Sequence, residues 1–201
     1  MNAKIDVTGV RIETPRLILR PWELTDLQDL YEYASVPGVG EMAGWNHHSN
    51  VAESEMILDV FIAQKKTLAV VLKENNKVIG SLGIEKIKNV DEIPNNLEGR
   101  ELGYVLSKDY WGEGLMTEAV KAVMDYCFKV LRYDYLTCAH FIQNDRSRRV
   151  IEKAGFQFLK EVKTEIRYGS VEDTKLYICF TSQKGWEVVD KFAQRIDSNG
   201  P

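Results

Sequence analysis

The sequence predicts a single α+β domain: a mixed, mostly antiparallel sheet with helices packed against it. Three observations carry that expectation. Short apolar segments with the alternation or continuity of strands recur between segments of helical period. A strand pattern, "ELGYVLS" (101–107), leads through "KDYWGEG" (108–114) into a long helical stripe. No repeat, low-complexity run or composition shift divides the 201 residues, a length that supports one domain with a real core. The domain is placed at 1–183, with a helical tail at 184–201.

The elements follow in order. "RLILRPW" (16–22) alternates as a strand, and Pro21 ends it. "TDLQDLYEYA" (25–34) opens with Thr25 and has Gln28 three residues on, a capping-box start for a helix. "VPGVGEMAGWNHHSN" (36–50) is a loop by composition. Asn50 with Glu53 starts a second helix, in which Met56, Ile57, Val60 and Phe61 keep helical spacing. "TLAVVLKE", the turn "NN" and "KVIGSLGIEKI" form a hairpin. The polar stretch "KNVDEIPNNLEGR" links it to 101–107. From Leu115, apolar residues recur at 119, 122, 123, 126, 127 and 130, one helical face. "YLTCAHFI" is a strand, and "NDRSRRVIEKAGF" a short helix ending at Gly155, a left-handed cap. Two more strands pair around "YGSVED", and "KGWEVVDKFAQRI" reads as a last helix.

Bulk composition narrows the function classes. The net charge of −4 removes the global basic field that draws nucleic acid, although "RSRR" (146–149) is a local basic patch. "MNAKIDVTGVRIETP" lacks the apolar segment of a signal peptide, and no apolar run approaches the ~20 residues that span a bilayer. Cys127, Cys138 and Cys179 are odd in number, lie among apolar neighbours and form no C-x-x-C pair. They read as reduced thiols of a cytoplasmic protein. His47 and His48 are adjacent and have no third ligand in view, so no metal is expected.

The glycine turn is the chemical clue. Unpaired N–H groups at a helix N-terminus attract anions, and glycine lets a ligand approach the backbone. A nucleoside triphosphate would require G-x-x-x-x-G-K-[ST], which is absent. A dinucleotide would require a third glycine where Thr117 stands. A pyrophosphate on a long amide-bearing arm, as in coenzyme A, needs only the amides and an open strand edge. A tight turn that binds nothing is the competing reading. Asn144, just after a strand, is suited both to an N-cap and to an amide-bearing ligand.

"YWGEGLMTEA" and "NDRSRRVIEKAGF", about 30 residues apart, together resemble the Gcn5-related N-acetyltransferase (GNAT) family. Within it, the chain is similar to the ribosomal-protein N-acetyltransferase group typified by RimJ and RimL, as "IETPRLILRPWELTDLQDLY" and "NKVIGSLGI" also suggest. The likeness runs from about Ile12 to Phe180. It departs from the family pattern at Asp109, where the family often carries Gln or Arg, and at Ile151, where many members carry a tyrosine acid.

The resemblance implies acetyl-CoA as cosubstrate and central strands, 101–107 and about 135–142, that splay to admit pantetheine. Backbone groups of Tyr104, Val105 and Leu106 would pair with the arm, and the Leu106 N–H would meet the oxyanion. Amides of Trp111, Gly112, Glu113, Gly114, Leu115, Met116 and Thr117 would hold the pyrophosphate. Asn144 would meet the pantetheine, and Lys153 or Arg149 a phosphate, unless these two are solvated helix charges. Glu101 would be the general base or an ordinary edge-strand charge, with Glu165 and Glu41 behind it, and Ser147 would protonate the thiolate. Trp45, with Trp22 and Trp111, would wall the amine channel formed with loop 36–50. The acceptor is an amine on a small molecule or a protein N-terminus, without nucleic acid or membrane, and the tail would support a homodimer. A coenzyme-A-binding sensor of the same fold and an unrelated phosphate-binding interaction protein are the rival classes.

Overall fold

The computed structural model describes residues 1–88, 93, 96–166 and 169–181. Its strands are β1 (Ile12–Glu13), β2 (Leu17–Pro21), β3 (Thr67–Leu72), β4 (Lys77–Glu85), β5 (Gly99–Leu106), β6 (Tyr135–Phe141), β7 (Gln157–Glu165) and β8 (Val171–Phe180). Its α-helices are α1 (Leu27–Ala34), α2 (Val51–Gln64), α3 (Leu115–Lys129) and α4 (Asp145–Ala154). The strands form one sheet in the order β1-β2-β3-β4-β5-β6-β8-β7. Neighbours run antiparallel except β5 and β6, which are parallel and are joined by a crossover through α3.

The central strands are apolar runs because both faces of the sheet are covered. Leu68, Val70, Leu82, Leu102 and Leu136 pack in the larger core with Leu115, Ala119, Val123 and Cys127 of α3. Ala69, Val71 and Val78 turn the other way, into a second core with Leu30 and Tyr33 of α1 and Leu58 of α2. The outer strand β7 instead carries Lys160, Glu161, Lys163 and Glu165, charges that blunt a free sheet edge. Helix ends obey local chemistry: Asn50 Oδ1 accepts the Glu53 N–H (3.0 Å) and Asn144 Oδ1 accepts the Ser147 N–H (3.1 Å). Gly155, at φ 102°, closes α4.

Two local expectations are corrected. The first helix is not capped by Thr25 and Gln28. A 3-10 turn over Leu24–Asp26 precedes it, and Glu23 and Asp26 form the capping box. Asp26 is drawn there by Arg20, whose guanidinium meets its carboxylate in two hydrogen bonds of 2.7 and 2.8 Å, while Thr25 stays exposed. In α2, Met56 and Val60 face outward, and Ser54 and Leu58 supply the buried side. The tail expected at 184–201, with the dimer contact expected of it, lies outside the described residues. Among the described residues no helix is long and apolar enough to cross a membrane.

One close approach fixes the centre of the sheet. A Cβ placed on Gly80 of β4 would stand 2.3 Å from the Val105 carbonyl oxygen of β5. The oxygen is main chain and the Cβ is fixed directly to main chain, so neither can yield cheaply. Gly80→Ala therefore forces β4 from β5, with an expected loss of about 2 kcal/mol and a Tm lower by roughly 4–8 °C. Thermal denaturation checks this, and an unchanged Tm would show that the strands part there without strain.

Candidate active site

The site begins where two strands stop pairing. β5 and β6 are in register from Gly99↔Tyr135 to Leu102↔Cys138. Beyond that, β5 continues to Leu106 bonded only to β4, and β6 to Phe141 bonded to β8. The Ser107 N–H donates to the Ile79 carbonyl (2.7 Å). Antiparallel alternation then commits Val105 to β4 and turns the main-chain groups of Tyr104 and Leu106 into the gap. The Leu106 carbonyl accepts from Trp111 Nε1 (2.9 Å). The expected set is thus narrowed: Tyr104 and the Leu106 N–H face the gap, and Val105 does not.

The glycine turn lies at the outer end of this gap. Gly112 (φ 89°) and Gly114 (φ 79°) take left-handed conformations, and α3 starts at Leu115. Its ladder opens with the Glu118 N–H on the Gly114 carbonyl (3.1 Å). The N–H groups of Gly112, Glu113, Gly114, Leu115, Met116 and Thr117 have no acceptor among the described residues. Trp111 is the exception to the expected run, since its N–H donates to the Lys108 carbonyl (3.2 Å). Arg16 braces the turn from behind, through the Glu113 carbonyl (3.0 Å) and the Glu118 carboxylate (2.8 Å).

The two sheet faces at the gap differ. Glu101, Gly103 and Val105 share the face toward α1 and α2, whereas Tyr104 turns toward α4. Thr137 Oγ1 donates to Glu101 Oε2 (3.3 Å). Burial raises the Glu101 carboxyl above its ordinary value; the Thr137 hydrogen bond and Lys88 oppose this, and Glu85, its register partner, adds to it. Beside it, a Cβ on Gly103 would meet nothing within 4 Å. Gly103 therefore leaves a trough in a cleft of about 1530 Å³, which Gly83, Ala139, Trp45, Phe61 and Phe141 also line. That volume exceeds the ~300–1,000 Å³ usual for one small ligand. Trp22 does not line it, being buried at 4% exposure with α1 and α2.

Loop 36–50 roofs the trough. Burial disfavours ionised Glu41, yet hydrogen bonds from His47 and from the Gly38 and His47 N–H groups outweigh it and hold its carboxyl at about 2. So acidic a group anchors the loop and is a poorer proton acceptor than an ordinary carboxylate. Glu165 also reaches the cleft, from β7. Asn144 joins the roof to α4, donating through Nδ2 to the Met42 carbonyl (3.2 Å). On the other face, the Tyr104 hydroxyl lies 2.9 Å from Ser147 Oγ and donates to the Ser147 carbonyl (3.1 Å). Burial, and next Cys138, raise that phenol well above its usual value. Arg149 and Lys153, further along α4, also line the cleft. Among the described residues no cluster of His, Cys, Asp or Glu is placed to hold a metal.

Residues 16–157 match the acetyltransferase (GNAT) domain family. The chain belongs to that family. This GNAT acetyltransferase uses acetyl-CoA as cosubstrate. It is 30% identical over 150 residues to the uncharacterized N-acetyltransferase p20 of Bacillus licheniformis, covering 72% of this chain and 80% of that one. Its fold is similar to a GNAT-family acetyltransferase from Bacillus anthracis (TM-score 0.74, 23% identity, 85% of this chain and 98% of the other). It is also similar in fold to the ribosomal-protein-S5-alanine acetyltransferase of Vibrio fischeri (TM-score 0.68, 22% identity, 87% and 98%).

Three features of the GNAT site escape sequence reading: the Tyr104 side chain on Ser147, the bare Gly103, and Arg146 over the Trp111 ring. Strand alternation carried a hint of the first two, since it separates 104 from 101, 103 and 105. Nothing local signals the third, which joins two segments 35 positions apart.

The raised Glu101 value has a stability consequence. A folded-state value above the unfolded one means the native state holds the extra proton. Stability is then full below the ordinary carboxylate value of ~4.3 and falls as pH rises through the folded value. Glu101→Gln, which cannot ionise, should match the parent near pH 4 and melt higher at pH 8. A Tm difference that stays constant between those pH values would show that Glu101 ionises as freely as in water.

Proposed function

We propose that the chain transfers the acetyl group of acetyl-CoA to a primary amine by direct attack on the thioester. The observation that carries this reading is the junction of six unpartnered N–H groups with a parted strand pair and, on the adjoining face, a carboxylate of raised pKa. The N–H groups of Gly112 to Thr117 hold the diphosphate. The pantetheine arm lies along the Tyr104 main chain, in the place a neighbouring strand would occupy. The amine arrives through the Gly103 trough, so both reactants are held side by side.

Glu101, directly or through a water, takes the proton from the attacking ammonium. A carboxyl shifted upward by burial is a better base near neutrality than an exposed one. The nitrogen lone pair forms the C–N bond, and the Leu106 N–H meets the oxyanion. Collapse breaks the C–S bond; Ser147, oriented by Tyr104, gives its proton to the leaving thiolate and regains one from the amide nitrogen, which sheds its second proton directly or through a water. Lys153 pairs with an outlying phosphate of the coenzyme. The similarity to a ribosomal-protein acetyltransferase supports a protein N-terminus as one acceptor class, and the trough equally suits a small amine. Three unpaired thiols favour a reducing, cytoplasmic setting.

A thiol-release assay over peptide N-termini, polyamines, amino sugars and small amines tests the reading. Turnover with at least one class supports it, while acetyl-CoA binding without release in any class would favour a coenzyme-sensing module. Glu101→Gln should lower kcat by about 10²-fold and leave the acetyl-CoA Kd near that of the parent; full turnover from pH 6 to 9 would remove Glu101 from the chemistry. Two glycine variants separate the half-sites. Gly103→Val should raise the acceptor KM and spare coenzyme binding, whereas Gly114→Val should abolish coenzyme binding measured by calorimetry. The reverse pattern would assign the two faces the wrong way round.

A further inference from the structure

The turn that cradles the diphosphate has little positive charge of its own. Asp109 and Glu113 are acidic, the Arg16 guanidinium is engaged by Glu118 and the Glu113 carbonyl, and Lys108 is the one cation within 108–114, its Nζ 5.9 Å from the Trp111 ring centroid. Further cations come from across the gap, on α4. Arg148 faces away and pairs with Asp145 and Glu152. Arg146, Arg149 and Lys153 follow helical spacing on another face and line the cleft. Among the described residues none of these three is paired with a carboxylate.

Arg146 differs from the other two in being held. Its guanidinium carbon lies 4.6 Å from the centroid of the Trp111 ring. That ring is itself fixed, because its Nε1 donates to the Leu106 carbonyl. Trp111 directly precedes the run of unpartnered N–H groups. Stacking engages the flat face of a guanidinium, while its N–H donors lie in the plane and stay available at the edge. An arginine stacked in this way offers a ready fork for two phosphate oxygens. It also spans the opening, since Trp111 follows β5 and Arg146 belongs to the first turn of α4.

We infer that Arg146, stacked on Trp111, binds the coenzyme's diphosphate from the α4 side and so completes a site whose other half is the glycine turn. The role presupposes that acetyl-CoA occupies the cleft. It adds no covalent step. It ties the two arms of the gap together through the ligand.

Calorimetric Kd values for coenzyme A, 3′-dephospho-coenzyme A and pantetheine, with the parent and Arg146→Gln, test it. Arg146 is exposed, so the variant should fold as the parent does, and matching Tm values will verify that. Arg146→Gln should weaken coenzyme A and 3′-dephospho-coenzyme A alike, by about tenfold, and leave pantetheine unchanged. Its loss of coenzyme A affinity between 50 and 200 mM salt should also be shallower than the parent's, as expected of one lost ionic contact (salt range as in ~50–200 mM comparisons of charged ligands). Equal coenzyme A affinity in both proteins overturns the assignment. So does an equal loss for pantetheine, which would place the effect on the arm. A loss confined to coenzyme A would give Arg146 the 3′-phosphate instead and likewise overturn it. Failure of the parent to bind coenzyme A at all would sink the acetyl-CoA reading of the cleft, a separate result.

Discussion

The parting of β5 from β6 after Leu102 and Cys138 is the constraint on which the rest depends. Interior main chain without partners is costly. Here it is confined to the side of β5 that faces the cleft, and even there the Leu106 carbonyl is satisfied by Trp111. On the other side β5 stays paired to β4 over its whole outer half, with Gly80 permitting very close contact. One edge of the strand is therefore locked so that the opposite edge can stay open.

The same parting divides the chemistry between two faces. Residues of even number on β5, Leu102, Tyr104 and Leu106, belong to the core shared with α3. Glu101, Gly103 and Val105 belong to the cleft beneath α1, α2 and loop 36–50. On the function proposed above, the coenzyme half is built from main-chain donors and α4 cations, and the acceptor half from a carboxylate and an absence of side chains. Glu41 and His47, and His48 with Ser54, hold the roof in place.

Much of this was legible in the sequence. Strand and helix order, the Asn50 and Asn144 caps, and the glycine turn followed from local rules, because each is decided within a few residues. The failures came where a contact outside the motif decides. Asp26 became the capping residue because Arg20 holds it. Trp22 left the amine channel because α1 and α2 enclose it. Val105 and the Trp111 N–H dropped out of the coenzyme set because β4 and Lys108 had already engaged them. Sequence motifs identify which segments approach a ligand; which atoms remain available depends on what else those segments touch.

The floor of the trough bears on how relatives with this scaffold diverge. On the function proposed above, the trough is a recognition surface defined by missing carbon, altered by addition, and a Cβ at position 103 enters open space. Selectivity can thus drift through single substitutions that leave folding and the nucleotide grip intact. Chains that share this architecture and its donor should be expected to differ most in what they modify.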